Sequence, residues 1–354
     1  MNDGIKQVIA ELRSQAHELW AEVPPEDFRI VRHLTRPYST VYRLQLVVRD
    51  ALLPRFIYAK ILAPGTKFQV DAEKYLTRLE TEFNAGRRLH AAFYREKEFA
   101  TIKPMAYYPE LLAIVSEEAP GESLAAVIAR EGKLWPVAEK LEQLARHCRR
   151  AGQALAAMQK ATAEVSRFDP SKLLEYIDVR LQRLLESKQT PLSPADRQQI
   201  IKFLELAIPT IPSGQLGLCG THGDYAPFNL LAAPEKITVV DFTMFKLGSV
   251  YNDLTYFYHR LEGYLHKPTY RSQTIRRLQD EFLRGYVEKA GGEEWRGADD
   301  LLFKILWIKH VVNNYSAIMR QRVVAKGEKL PLPVQLFNQH VFHRYNRWLN
   351  RFCQ

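Results

Sequence analysis

Cysteine is scarce in this chain: Cys148, Cys219 and Cys353 are isolated and odd in number. That excludes a disulfide framework and a cysteine-held zinc cluster, and leaves small reduced thiols in the core or at the surface. Long apolar runs are missing too. The most hydrophobic helical candidate, Leu301 to Met319, is interrupted by Lys304, Lys309, His310, Asn313 and Asn314, which is too polar for a bilayer span. Near the N-terminus, Ile5, Val8, Ile9, Leu12 and Leu19-Trp20 fall close to helical spacing among acidic residues, without the basic start and apolar centre of a signal peptide. The expected location is cytoplasmic. Glycine is absent from Arg36-Pro37-Tyr38-Ser39-Thr40-Val41-Tyr42, a stretch between two strand candidates. A glycine-free loop cannot bring its amides to a phosphate by the usual close backbone approach.

What is present describes a folded globular chain. Hydrophobic residues make up 46% and charged residues 25% of 354 positions, enough for a sizeable core in one large fold or two lobes. The net charge of +10 is unevenly spread. Half of it falls in residues 321–354, where Arg322, Lys326, Lys329, Arg344, Arg347 and Arg351 face only Glu328, whereas residues 1–30 hold six acids against three bases. In the same terminal segment Phe337, Val341, Tyr345, Trp348 and Phe352 share one helical stripe. That pattern reads as a terminal helix docked by its apolar face with a solvated basic side, or as a surface drawn to a polyanion or membrane.

Periodicity orders the chain. An opening helix ends at Pro24-Pro25, where proline breaks the hydrogen-bond ladder. Strands are expected over Phe28–Leu34, Val41–Val48 and Arg55–Leu62, forming a meander, with a further buried strand at Leu111–Val115. Ala63 to Leu79 is a charged connection read as a surface insertion or a lid. Beyond Ser123 helices dominate, among them Val137–Gln159 with Leu141, Leu144, Ala145, Cys148, Leu155 and Met158 near helical spacing.

The chemistry concentrates in His222-Gly223-Asp224-Tyr225-Ala226-Pro227-Phe228-Asn229, followed by the strand-like Ile237-Thr238-Val239-Val240 ending at Asp241-Phe242, with Gly248 and Asp253 downstream. This arrangement resembles the aminoglycoside phosphotransferase and choline kinase family, whose catalytic loop reads H-G-D-x-x-x-x-N and whose metal-binding segment reads D-F/W before a glycine and a second aspartate. The resemblance implies a two-lobed, protein-kinase-like α+β fold. A small antiparallel-sheet lobe over residues 1–119 would bind nucleotide, and a larger, mainly helical lobe over 120–354 would bind the acceptor, with the boundary at Ala119-Pro120.

The resemblance also implies roles. Asp224 orients the acceptor hydroxyl and takes its proton. Asn229 and Asp241 give magnesium hard oxygen ligands, enough when the nucleotide phosphates and water complete the shell. Lys60, on a strand among apolar neighbours, clamps the inner phosphates, and Glu82 fixes its ammonium group, with Glu80 a competing partner one helical phase away. Ser39 and Thr40 replace the missing glycines at the phosphates, and Glu117, Glu118 and Ala119 form the hinge that meets the adenine edge. His222 and Gly223 shape the catalytic turn, and Gly248 and Asp253 support it.

Only twelve residues run from Asp241 to Asp253, and no Ala-Pro-Glu motif follows Asp241, so a peptide acceptor is not expected. The expected activity is an ATP- and Mg²⁺-dependent transfer of the terminal phosphate to a hydroxyl of a sugar, amino alcohol or antibiotic-like molecule, with GTP the other candidate nucleotide and no nucleic acid partner. The aromatic run Tyr251, Tyr256, Phe257, Tyr258, His259 and Tyr264 lines either the acceptor pocket or the core. The alternative is a catalytically silent nucleotide- or polyanion-binding protein on the same scaffold.

Overall fold

The computed structural model describes residues 3–36, 39–49, 53–62, 72–187, 190–291, 297–324 and 331–352. Pro37 and Tyr38, most of the expected insertion after Leu62, Lys326, Lys329 and Cys353 lie outside the described residues. The chain is mixed α+β and folds into two compact units: Met1–Leu124 with Asn229–Phe245, and Ala125–Phe228 with Lys246–Gln354. The first unit thus runs five residues past the expected boundary at Ala119-Pro120 and takes back a seventeen-residue segment that carries both Asn229 and Asp241.

In the first unit, α1 (Asp3–Ser14) buries Ile5, Val8, Ile9 and Leu12 along one face, and the short α2 (Ala16–Leu19) follows. Helix is therefore over before Pro24-Pro25, so those prolines do not terminate it. The sheet strands β1 (Asp27–Arg36), β2 (Ser39–Val47) and β3 (Arg55–Leu62) form the expected antiparallel meander. After α3 (Ala72–Ala92) and β4 (Phe99–Thr101), β5 (Pro104–Tyr108) and β6 (Ala113–Glu117) complete a five-stranded sheet in the order β1-β2-β3-β6-β5. Because side chains alternate across a strand, Ile57, Ala59 and Ile61 of β3 join the α1 residues and Leu44 in one core cluster. Lys60 therefore projects from the other face, where Ile114, Leu79 and Tyr75 pack.

The first unit continues through β7 (Glu122–Ser123) and resumes, after an excursion that includes β8 (Ala163–Arg167) and β9 (Gly217–Thr221), as the hairpin β10 (Leu230–Ala232) and β11 (Ile237–Val239). These make a second sheet in the order β4-β11-β10-β7. Gly121 permits the approach of β7 to β10: its φ is +113°, and a Cβ there would stand 2.7 Å from the Ala232 carbonyl.

The second unit is mainly helical, with α4 (Leu124–Glu131), α5 (Ala138–Ala161), α6 (Lys172–Glu186), α7 (Pro194–Ala207), α8 (Tyr251–Glu262), α9 (Ser272–Ala290), α10 (Leu301–Val324) and α11 (Leu332–Phe352). It also holds a three-stranded sheet of β12 (Lys246–Ser249), β9 and β8, which periodicity did not foretell. β8 is exposed at every residue and β9 reads Gly-Leu-Cys-Gly-Thr, so neither shows an alternating apolar pattern. α10 buries Leu302, Ile305, Trp307, Ile308, Val311 and Tyr315 around its circumference, which accounts for apolar residues on more than one of its faces. α11 docks through Val341, Phe342, Tyr345 and Leu349, while Phe337 is 41% exposed and Arg347 and Arg351 face solvent. Cys148 and Cys219 are buried, and burial pushes the Cys219 thiol up to about 12, so both are inert core groups. Among the described residues no helix is long and apolar enough to cross a membrane.

The tightest helix pair is α5 against α9, brought together by two glycines. A Cβ on Gly285 would lie 1.9 Å from the Arg149 carbonyl oxygen, and one on Gly152 would lie 2.0 Å from that of Phe282. Neither clash can be relieved by rotating a side chain. Gly285→Ala is therefore expected to lower unfolding free energy by about 3 kcal/mol or more. Urea denaturation checks this, and an unchanged midpoint would show that the helices do not cross this closely.

Candidate active site

In the first unit a single ammonium group gathers three side chains. Lys60 lies on the rung between Val41 of β2 and Ile114 of β6, in the middle of the sheet. Its Nζ donates to both Glu82 carboxylate oxygens at 2.9 Å, to Asp241 Oδ1 at 2.9 Å and to the Thr243 hydroxyl at 2.6 Å. Glu82 comes from α3, and its carboxylate is the one beside Lys60. Thr243 Oγ1 is 2.8 Å from Glu82 Oε2 and 2.6 Å from Asp241 Oδ1. A hydroxyl carries one proton, so while it accepts from Lys60 it can donate to only one carboxylate at a time. Burial acts to lower the Lys60 pKa, but Glu82 and Asp241 outweigh it and the net displacement is upward. The lysine is held as a cation.

The hairpin turns Asn229 and Asp241 toward one end of a two-stranded ladder. Leu230 pairs with Val239, and the Val240 amide donates to the Asn229 carbonyl at 3.1 Å, so Asp241 follows directly beyond the last rung. Asn229 is 5% exposed. Asp241 adopts φ +69°, a left-handed conformation that a side-chain-bearing residue takes only when its surroundings impose it. Lys60 and Thr243 both bond its Oδ1, and the next residue, Phe242, is buried.

In the second unit the loop around Asp224 is tied down by a buried carboxylate. Asp253, fully buried in the first turn of α8, accepts the His222 amide at 2.6 Å and the Gly223 amide at 3.0 Å. Burial raises its pKa, and His222 together with the two amides opposes that rise. Gly223 takes φ +78°, as this tight turn requires. His222 Nδ1 accepts the Asp224 amide at 3.3 Å. Tyr256, one turn beyond Asp253 on α8, donates its hydroxyl to Asp224 Oδ1 at 2.8 Å. Behind the loop, Tyr225 is fully buried with its hydroxyl on the Ala151 carbonyl. Gly248 lies in β12 opposite Cys219, within the sheet that carries the loop.

Ser39 and Thr40 are 7% and 9% exposed at the start of β2, paired with Leu62 and Ile61. β1 runs to Arg36 and β2 begins at Ser39, so both residues belong to the sheet rather than to the expected loop. Glu117 and Glu118 spend their carboxylates on Lys103 at 2.7 Å and Arg43 at 2.7 Å. Their amides donate to the Lys103 and Phe56 carbonyls, so these groups serve the sheet. Glu117 stands opposite Ile57, three residues along β3 from Lys60, roughly 10 Å at strand rise. Ala119 follows directly.

Three contributors carry no signal in the pattern. Thr243 is an ordinary polar residue two positions after Asp241. Lys309 donates to Asn252 Oδ1 at 2.6 Å and His310 Nε2 donates to the Asn252 carbonyl at 3.0 Å, anchoring the residue before Asp253 from α10. Their spacing from the Asp224 loop is set by packing alone.

The donors present suit a hard divalent cation. Asp241 and Asn229 offer a carboxylate and an amide oxygen from adjacent backbone positions, and among the described residues no group of three or more His, Cys, Asp or Glu forms a cage. Magnesium retains waters and phosphate oxygens beside one or two protein ligands.

The fold is the α+β fold of kinase-like phosphotransferases. The model of the phosphotransferase enzyme family (APH) matches residues 65–301, more than half of the chain, and the protein belongs to that family. No curated protein matches the sequence. Among solved structures, a choline/ethanolamine kinase family protein from Mesorhizobium loti is similar with 16% identity and a TM-score of 0.55, covering 99% of this chain and 98% of its own. Choline kinase from Cryptosporidium parvum aligns at 14% identity and a TM-score of 0.57, covering 98% and 95%. Amicoumacin kinase hAmiN, solved with AMP-PNP, Ca²⁺ and Ami, aligns at 13% and 0.52, covering 98% and 96%. At these identities the likeness is one of fold.

Lys309 gives a test of how closely α10 covers the Asn252 segment. Burial, with Lys246 adding repulsion, lowers its pKa to about 8, whereas the unfolded chain holds that proton to about 10.4. Between those values the unfolded state binds more protons, so stability rises with pH. Lys309→Met should flatten that rise between about pH 8 and pH 10 in urea melts. An unchanged slope would mean that the ammonium is solvated.

Proposed function

We propose that this protein is an ATP- and magnesium-dependent kinase that phosphorylates a hydroxyl of a small molecule. The observation that carries the reading is the Lys60 cluster, where one charged lysine bonds both Glu82 and Asp241 in a unit whose hairpin also bears Asn229. No structural need of a sheet requires a cation and two carboxylates at its centre, since such groups are costly to desolvate unless they serve each other or a ligand. The complex of hAmiN with AMP-PNP and Ca²⁺ supports a nucleotide with a divalent ion as the partner of this cluster.

In this reading Lys60 binds inner phosphate oxygens, with Glu82 aiming its ammonium group. Asp241 and Asn229 hold the metal, which when bound supplies positive charge to the phosphate oxygens. Asp224 receives the acceptor hydroxyl, with Tyr256 fixing one carboxylate oxygen and the amide-clamped loop fixing its backbone. The acceptor oxygen forms its bond to the terminal phosphorus as the bond to the nucleoside diphosphate breaks, and the hydroxyl proton passes to Asp224. The short run from Asp241 to α8 favours a small acceptor, since it leaves no long segment to seat a peptide.

Asp224→Asn keeps the shape but removes the base. Turnover is expected to fall roughly 10²- to 10⁴-fold, about 3 to 5 kcal/mol of barrier, with nucleotide affinity nearly unchanged. Undiminished acceptor-dependent diphosphate release would remove Asp224 from the mechanism. Asp241→Ala should instead weaken binding of the magnesium-nucleotide, read by calorimetry, and equal affinity would contradict the metal assignment.

A further inference from the structure

One turn past Tyr256, the residue bonded to Asp224, α8 presents Arg260. Its guanidinium carbon lies 5.3 Å from the centre of the Phe228 ring and 5.9 Å from that of Tyr256. Among the described residues no carboxylate forms an ion pair with it. Glu262, the nearest acid in sequence, is occupied elsewhere: it accepts the Trp307 indole N–H at 2.8 Å and lies 3.6 Å from His259 Nδ1. Arg260 borders a cavity of about 350 Å³, walled also by Phe228, Tyr264, His266, Lys267 and Phe337, and lying wholly within the second unit. No Asp or Glu lines it.

His266 adds a second observation that points to a ligand. It is 7% exposed, and both of its ring nitrogens lack a hydrogen-bond partner in a buried setting. Burial, reinforced by Arg344, His259 and His340, pushes its pKa down to about 3, so it is a neutral imidazole able to donate or accept one bond. Buried polar atoms left unpaired are costly, and these two are satisfied if a polar molecule enters. The cavity therefore offers fixed cations, aromatic walls and one neutral hydrogen-bonding ring. Its volume sits at the small end of ligand pockets, roughly 300 to 1,000 Å³.

We propose that the acceptor is a compact hydroxy acid, with an apolar or single-ring body and an anionic oxygen group received by Arg260 and Lys267. This rests on the phosphotransferase reading above and adds to it the charge of the substrate. A cationic acceptor such as an aminoglycoside or a quaternary amine would enter a site with two cations and no carboxylate to receive it, and an ammonium left unpaired in a partly dry pocket is strongly disfavoured. A guanidinium meets a carboxylate through parallel N–H bonds in a geometry that lysine alone does not offer.

The test compares three molecules of one skeleton: para-hydroxymethylbenzoate, its neutral amide, and para-hydroxymethylbenzylamine. Each is titrated calorimetrically into the full chain without nucleotide, so the result stands whether or not phosphate is transferred. The carboxylate is expected to bind about 10- to 100-fold more tightly than the amine, and Arg260→Gln to remove most of that preference. Lys267→Gln, at an exposed position, should reduce it to a smaller degree and serves if Arg260→Gln does not fold. Tighter binding of the amine, a preference that survives both substitutions, or no binding by any of the three would overturn the proposal. Retained carboxylate binding with no phosphate transfer in the presence of magnesium-ATP would count against the kinase reading alone.

Discussion

The first unit depends on how one half-buried ammonium group is compensated. Removing Lys60 from water is costly, and the sheet position between Val41 and Ile114 gives it no backbone group to bond. The two carboxylates and the Thr243 hydroxyl repay that cost only because three separate pieces of chain converge: strand β3, helix α3 and the segment following β11. The cluster of one cation and two anions is formally negative. That leaves it able to accept further positive charge, and under the proposed function a divalent ion would bring it. The left-handed backbone at Asp241 fits this view, because its strain is maintained by bonds to the same lysine and threonine.

The second unit solves a related problem with a buried acid. Asp253 satisfies two backbone amides that the tight turn at Gly223 would otherwise leave unpaired, and this turns a flexible loop into a fixed mount for Asp224. Helix α8 then carries out three tasks along one face. Asp253 holds the loop, Tyr256 orients the carboxylate and Arg260 borders the cavity, at intervals of three and four residues that bring them to the same side. α10 supports this helix from behind through Lys309 and His310 on Asn252.

Much of this was legible in the sequence, for identifiable reasons. The meander and the long helices carry strong periodic patterns, so their type could be read directly, and the family could be recognised from His222 to Asp241 because mechanism fixes both residue types and spacing there. Helical phase left Glu80 as a competitor to Glu82 for Lys60, since a shift of two residues around α3 is invisible without the packing of Leu79 and Tyr75 beneath it. Strands β8, β9 and β12 escaped notice because exposed or glycine-containing strands have no alternation to detect. Thr243, Lys309 and the unpaired His266 were unreadable for a different reason. Each derives its significance from neighbours distant in sequence, and a lone threonine, lysine or histidine has no pattern of its own. Length and composition were likewise silent on the return of Asn229–Phe245 to the first unit, which arises from β10 pairing with β7 and β11 with β4.

In the proposed function the Lys60 cluster holds nucleotide phosphates with a divalent ion. Calorimetric titration of magnesium–AMP-PNP into the wild-type chain and into Lys60→Met tests it most directly, with hydrogen exchange on both to verify that the sheet is intact. Loss of one charge-assisted contact predicts affinity weaker by about 10-fold or more in the variant. Equal affinity in two equally folded proteins would contradict it, and would leave the lysine as a structural ion pair alone.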